Sequence, residues 1–273
     1  MGFSIYHKNL DVDMKADEII FKLTPNSDLV SFVEYIKNIS DKKIVLQYEN
    51  ADAFSKNEEI AVENFIKAVH LEFNISVAIS RAPQIFPLKT FLKEQNYSFF
   101  YYEPLYNLME LFNAIEEGVN EVCVHGTLAF QLKSLSKIRN RGIKIRVFVD
   151  SPIMLSYDEF NLAQIVPERT FWIRPEDINI YSKYVDTFEI LYVPQVKLDI
   201  YKKGIWEGKV SDLIPAVKLD VFNNTIPPIF ANIRINCGWE CGLNKCGVCK
   251  QCMLFAKQLS ENHLELKVDK NDQ

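Results

Sequence analysis

Residues 121–149 read EVCVHGTLAFQLKSLSKIRNRGIKIRVFV. The stretch opens on a short apolar strand, 121–124, passes through a helical pattern over 127–140, and ends on a second apolar strand, 143–149. Gly142 is placed to stop the helix, because only glycine turns the backbone there without steric cost. This is one strand–helix–strand unit, and the same alternation runs over most of the 273 residues. Strands are expected near 18–23, 43–48, 75–80 and 98–102 before it, and near 170–173 and 186–191 after it. They are rich in Val, Ile, Phe and Tyr. Several are continuous apolar runs, as parallel strands buried on both faces should be.

Helices fill the gaps at 27–39, 57–72, 85–95, 105–117, 175–183 and 194–203. Ser27 stands as N-cap of the first, with Leu29, Phe32, Val33 and Ile36 on one face. In the second, Ile60, Phe65, Ile66 and Val69 share a face. Pro175 suits a first helical turn, with Glu176 and Asp177 complementing the dipole. About eight strand–helix units argue for a closed parallel barrel, a (β/α)8 TIM-barrel-like α/β fold. An open doubly wound sheet is the alternative, but no Gly-x-Gly-x-x-Gly follows any strand. Without a polar linker, residues 1–273 read as a single domain: a barrel over 18–204 and a C-terminal extension over 205–273.

Composition narrows the function classes. Hydrophobic residues make up 48% and charged residues 25%, and the net charge of −5 gives no global footprint for nucleic acid. The local run Lys133, Lys137, Arg139, Arg141, Lys144 and Arg146 reads as a solvated helix face and turn. No run reaches the roughly 18 apolar residues of a membrane span, and the N-terminus lacks the apolar core of a signal peptide. A cytoplasmic location with no membrane partner is therefore expected, and there clustered cysteines read as metal ligands rather than disulfides.

The cysteines are clustered. Residues 236–253, NCGWECGLNKCGVCKQCM, place Cys237, Cys241, Cys246, Cys249 and Cys252 within one short Gly-containing segment. Four thiolates suit tetrahedral zinc or a [4Fe–4S] cluster. Cys237, Cys241, Cys246 and Cys249 form two pairs as in a zinc-ribbon-like site, with Cys252 as the alternative fourth ligand. Cys123, inside an apolar strand, reads as a small core residue.

In a parallel barrel, chemistry gathers where strands end. Just past the expected strands lie Glu49, Arg81, Glu103, His125, Asp150 and Arg174, with Glu189 near the last. Charges of both signs at one mouth suit a small polar or anionic substrate. Arg81 and Arg174 would anchor anions, His125 would act as acid or base, and Glu49, Glu103 and Asp150 would act as bases or fix the arginines. His7, His70 and His263 carry less, standing near a terminus, at a helix end and in the polar tail.

The segment EVCVHGTL over 121–128 resembles the signature of the collagenase-like peptidase family, the U-thirty-two peptidases. There a strand ends in a His-Gly pair followed by a small and an aliphatic residue. Arg174-Pro175-Glu176-Asp177 and the late cysteines extend the resemblance over roughly 40–255. It implies an iron–sulfur barrel, since several family members hydroxylate RNA bases or a quinone precursor without molecular oxygen. The expected chemistry is thus hydroxylation of a nucleobase, in RNA or free, or of a small aromatic. The alternatives are a peptidase, as the family name says, and a non-catalytic barrel stapled by zinc that binds a partner. Where the family places a cysteine soon after the His-Gly pair, this chain has Ala129, so the cluster must rely on Cys237 to Cys252.

Overall fold

The computed structural model describes residues 1–7, 10–25, 27–48, 54–82, 85–105, 108–124, 128–129, 132–149, 173–191 and 194–213. Eight parallel strands close into a barrel in chain order. They are β1 (Gly2–Tyr6), β2 (Glu18–Leu23), β3 (Lys43–Tyr48), β4 (Ile75–Ile79), β5 (Phe99–Leu105), β6 (Glu121–Val124), β7 (Lys144–Phe148) and β8 (Thr187–Ile190). β8 closes on β1 through the pairs Phe3–Phe188 and Ile5–Ile190.

The membership of the barrel differs from the sequence expectation at two places. Gly2–Tyr6, upstream of the expected start at residue 18, is the first strand. β7 pairs directly with β8, from Arg146–Thr187 to Phe148–Glu189, where the sequence places a further strand at 170–173; residues 170–172 of that stretch lie outside the described residues. Ile173 follows its own course, donating its N–H to the carbonyl of Val149.

Helices follow the strands: α1 (Leu10–Asp13), α2 (Leu29–Asn38), α3 (Lys56–Glu72), α4 (Phe86–Glu94), α5 (Leu108–Glu116) and α6 (Leu132–Arg139). After β7 come a 3-10 turn (Pro175–Asp177) and α7 (Ile178–Tyr181), and after β8 come α8 (Pro194–Lys203) and α9 (Val210–Leu213). The N-cap of α2 is Asp28, not Ser27; its carboxylate accepts from the N–H groups of Val30 and Ser31. Ser27 instead accepts from the Thr24 N–H through its hydroxyl. Helix α3 begins with a reciprocal capping box between Ser55 and Glu58. Its buried face is Val62, Phe65, Ile66 and Val69, while Ile60 is exposed. Gly142, at φ +82°, makes the turn from α6 into β7.

The main core lies between barrel and helices. Outward side chains such as Ile19, Phe21, Ile44, Leu46, Val77, Val122, Val147 and Phe188 pack there against helix residues including Ile36, Ile66, Leu92, Leu135 and Leu198. Burying each such side chain contributes about 1.5–3 kcal/mol relative to exposure.

The barrel interior is different in kind. Strand register and alternation stack its side chains in tiers drawn from alternate strands. From the N-terminal end the order is Lys43, then Glu18, Ser76, Glu121 and Thr187, then Ser4, Val45, Phe100 and Arg146. Above these come Ile20, Ala78, Cys123 and Glu189, and near the C-terminal mouth Tyr6, Gln47, Tyr102 and Phe148. Only Ile20, Val45, Ala78 and Phe100 make an apolar cluster inside, with Tyr6 and Tyr102 packed on it. The strands are therefore apolar toward the helices and largely polar toward the axis, rather than apolar on both faces. Among the described residues no helix is long and apolar enough to cross a membrane.

Candidate functional site

The interior polar residues form one connected group. Arg146, with no exposed surface, reaches three carboxylates. Its Nε donates to Glu121 Oε1 at 2.7 Å, its Nη1 donates to Glu189 Oε2 at 3.0 Å, and its Nη2 donates to Glu18. Its guanidinium also lies 4.7 Å from the centre of the Phe100 ring, a cation–π contact. Below, Lys43 Nζ bridges Glu18 at 2.5 Å and Glu121 at 3.1 Å. Arg146 is thus not part of a solvated basic face. It is the fixed cation of the barrel axis.

Among the described residues of this group three carboxylates face two cations, and the electrostatics divide accordingly. Burial alone would raise the Glu18 carboxyl, but Arg146 and Lys43 bring it down to about 2. Glu189 is also fully buried but sits farther along the axis from Lys43, nearer the mouth. Burial pushes it up to about 7, and Arg146 offsets this only in part while Glu18 adds repulsion. For Arg146, burial works against the charge, but Glu121, Glu18 and Glu189 outweigh it and hold the guanidinium firmly protonated. Cys123, in the same tier as Glu189, is buried as expected for a core residue, and burial together with Glu189 keeps its thiol protonated.

Glu189 leads upward to the mouth. The Tyr102 hydroxyl donates to Glu189 Oε1 at 3.2 Å, and the Tyr6 hydroxyl donates to that of Tyr102. Burial, and then the neighbouring Glu189, push the Tyr102 phenol far above its usual range. Tyr6 and Tyr102 also line a cavity of about 550 Å³ at the C-terminal ends of β1, β2, β5 and β8, together with the rings of Phe21 and Phe32 and the polar groups of His7 and Lys22. Ile20 and Leu191 complete its lining. Its size suits a small-molecule ligand, and its aromatic walls suit a flat one.

His7, near the N-terminus and weakly regarded from sequence, is part of this mouth. Its Nδ1 lies 2.7 Å from Oδ2 of the buried Asp13, which also accepts from the Tyr35 hydroxyl. The imidazole stacks on Phe21 at 4.9 Å and meets the edge of Tyr35 at 4.4 Å. A ring stacked on one aromatic side chain and edged by another, with one nitrogen against a carboxylate, is oriented for acid–base work at the other nitrogen. Lys22 lies over the Tyr6 ring at 4.9 Å.

The strand-end residues singled out from sequence fare unevenly. Arg81 and Glu103 come together, but through the backbone: the Arg81 N–H donates to Glu103 Oε1 at 3.3 Å and Oε2 at 3.1 Å. The Arg174 guanidinium is buried and clamps Asp177 bidentately, Nε to Oδ2 at 2.8 Å and Nη2 to Oδ1 at 2.9 Å. That pair stands at the start of the 3-10 turn, with Arg174 at its N-cap position. Glu49, His125 and Asp150 lie outside the described residues, as do Cys237, Cys241, Cys246, Cys249 and Cys252. Among the described residues no group of three or more His, Cys, Asp and Glu side chains is arranged to hold a metal ion.

Glu18, Lys43, Glu121 and Arg146 were not singled out as site residues from the sequence. The signal for them is the two-residue spacing within each strand: Glu18-Ile20-Lys22, Lys43-Val45-Gln47, Glu121-Cys123 and Arg146-Phe148 all fall on the inward face. No protein-family model matches the chain, and none of the curated proteins matches it either.

Proposed function

We propose that the chain is a barrel enzyme that binds a small planar aromatic, of nucleobase size, at its C-terminal mouth and modifies it there. The observation that supports this best is the cavity walled by Tyr6, Phe21, Phe32 and Tyr102. Flat rings favour stacking between aromatic faces, and the polar groups at this mouth, His7, Lys22 and the two tyrosine hydroxyls, supply directional contacts for ring nitrogens or oxygens. His7, fixed by Asp13, serves as acid or base, alongside the His125 that its place at a strand end singles out in the sequence.

The same resemblance to the U-thirty-two peptidases supplies the redox half of the proposal. Cys237, Cys241, Cys246, Cys249 and Cys252 offer a thiolate donor set that fits a [4Fe–4S] cluster, and equally fits zinc. A cluster held there would supply electron transfer for hydroxylation, whereas zinc would staple the C-terminal extension to a binding barrel. Protein prepared without oxygen and assayed for iron, sulfide and zinc separates the two. The binding half is tested by equilibrium dialysis of the full chain against nucleobases, nucleosides and hydroxybenzoates. Binding that weakens at least tenfold in Phe32→Ala supports the mouth as the site. Binding unaffected by Phe32→Ala and Tyr6→Ala rules it out.

A further inference from the structure

A continuous polar file runs along the barrel axis. It starts at Lys43, passes through Glu18 and Glu121 to Arg146, then to Glu189, Tyr102 and Tyr6, and ends in the mouth cavity. We propose that its upper half is a proton relay: Glu189 stores a proton at the base of the mouth, and Tyr102 and Tyr6 pass it to and from an aromatic ligand bearing an ionisable oxygen or ring nitrogen. This rests on the reading of the mouth as an aromatic-binding site and assigns that site its proton source.

Three observations converge on Glu189. The first is charge balance. Among the described residues of the axis, two cations, Lys43 and Arg146, match two carboxylates, Glu18 and Glu121, and Glu189 is the third. An unneutralised charge in a dry core is costly, so a proton on the odd carboxyl restores neutrality. The second is position. Lys43 holds Glu18 and Glu121 but is not paired with Glu189, which has Arg146 on one oxygen and Tyr102 on the other. The third is connectivity. Each hydroxyl in the chain from Tyr102 to Tyr6 is both a donor and an acceptor, so the direction of every bond reverses together when the proton moves.

The groups facing Glu189 come from all sides of the barrel. They are Arg146 on β7, Glu18 on β2, Tyr102 on β5 and Cys123 on β6. Ser4 on β1 is its ladder neighbour, and Lys43 on β3 acts through Glu18. The buried thiol stays protonated beside the carboxylate, so it neither supplies nor consumes the relay's proton. The position of Glu189 near neutrality agrees with a store that loads and empties at ordinary pH.

The transfer balances without any further reagent. In the loaded state the Glu189 carboxyl donates to the Tyr102 oxygen, Tyr102 donates to Tyr6, and Tyr6 faces the ligand. As the ligand's basic atom takes the Tyr6 proton, Tyr6 takes that of Tyr102 and Tyr102 takes that of Glu189. The carboxylate left behind lies against Arg146. The reverse sequence removes a proton from the ligand. Glu189 does not touch the ligand, so it is a positioning and storage group, while Tyr6 and Tyr102 line the cavity and make the contact.

The test uses infrared difference spectroscopy on the full chain, kept reduced. A protonated-carboxyl band that titrates near neutral pH, disappears in Glu189→Gln and shifts in Tyr102→Phe is expected. The ligand arm uses 4-nitrophenolate, whose yellow colour is lost on protonation, with nitrobenzene as the non-ionisable control. In the wild type, binding of the phenolate should bleach its colour and the carboxyl band together, one for one. In Tyr6→Phe and Tyr102→Phe the band should persist on binding. Nitrobenzene should leave the band intact in the wild type and in both phenylalanine variants. The relay is overturned if no Glu189 band exists, or if the band bleaches equally in the phenylalanine variants. If neither probe binds while the band behaves as described, the aromatic-site reading fails and the proton store on the file stands. Circular dichroism of each variant confirms that the barrel is retained.

Discussion

Glu189→Gln isolates the odd carboxylate of the barrel axis. Gln has the same shape, carries no charge, and still offers an oxygen to Arg146 and an amide N–H to the Tyr102 oxygen. In the wild type the carboxyl is raised from 4.5 to about 7 in the folded protein. The native state therefore binds this proton more tightly than the unfolded chain. The stabilisation is fully present below pH 4.5 and disappears as pH rises through 7. A shift of this size corresponds to about 3 kcal/mol. Glu18 behaves oppositely: lowered to about 2, it adds stability above pH 4.5 that is lost as pH falls through 2. Glu18 is present in both proteins, so it largely cancels when they are compared. The variant should thus gain about 3 kcal/mol on the wild type between pH 4.5 and 8, whatever fixed cost the amide brings. In thermal unfolding that difference amounts to about 6–12 °C. Calorimetry or urea titration across that pH range, at constant ionic strength and with thiols reduced, reads it directly. Stability curves for the two proteins that run parallel from pH 4.5 to 8 would show that Glu189 ionises normally, and the charge-balance reasoning would be wrong.

Arg146→Met should be far more damaging, with a loss of about 3–5 kcal/mol near neutral pH, because it strands buried carboxylates. Urea titration should show this loss shrinking toward acid pH as those carboxylates take up protons. Ser55→Ala removes the capping box of α3 and should cost about 1 kcal/mol in the same measurement, with no change in ligand binding at the mouth. Joint replacement of Cys246 and Cys249 by Ser should abolish metal binding, read by metal analysis, while circular dichroism retains the barrel signal. Full metal content in that variant would mean that other residues are the ligands.

The fold was readable because the outward faces of the strands are uniformly apolar. Ile44, Leu46 and Tyr48, or Ile145 and Val147, mark strands whatever lies opposite them. The short strand Gly2–Tyr6 escaped, since the four residues FSIY are too few to separate a strand from an apolar turn or helix start until their pairing with β2 and β8 is known. The mouth was readable only in outline. The rule that chemistry gathers at strand ends points to Arg81 and Glu103, which are there, but it says nothing of the partners those groups choose. Arg174 illustrates the difficulty: three residues on, Asp177 pairs with its guanidinium, a local partner of which the strand-end rule gives no sign. Arg146 was harder still. It follows a run of surface cations, and strand parity does not separate it from Lys144, two residues before it on the same face of β7 but exposed at the strand's first position.

A charged barrel axis needs a reason, because apolar side chains of similar volume fill such interiors at no electrostatic cost and often with greater stability. A purely structural ionic core would match cations to carboxylates. Lys43 and Arg146 with Glu18 and Glu121 already achieve that match at the N-terminal end of the barrel. Glu189 breaks it, and does so on the side of the cluster that faces the mouth, where its second oxygen meets a tyrosine rather than another cation. Residues held in a state that lowers stability concentrate where they serve activity. The interior therefore divides by height: a matched lower half that fixes Arg146 in place, and an unmatched upper carboxyl whose proton is shared with the hydroxyls of the mouth. Removing the mismatch should stabilise the fold near neutral pH and empty the proton store in the same substitution, a pairing of effects that a structural role alone does not produce.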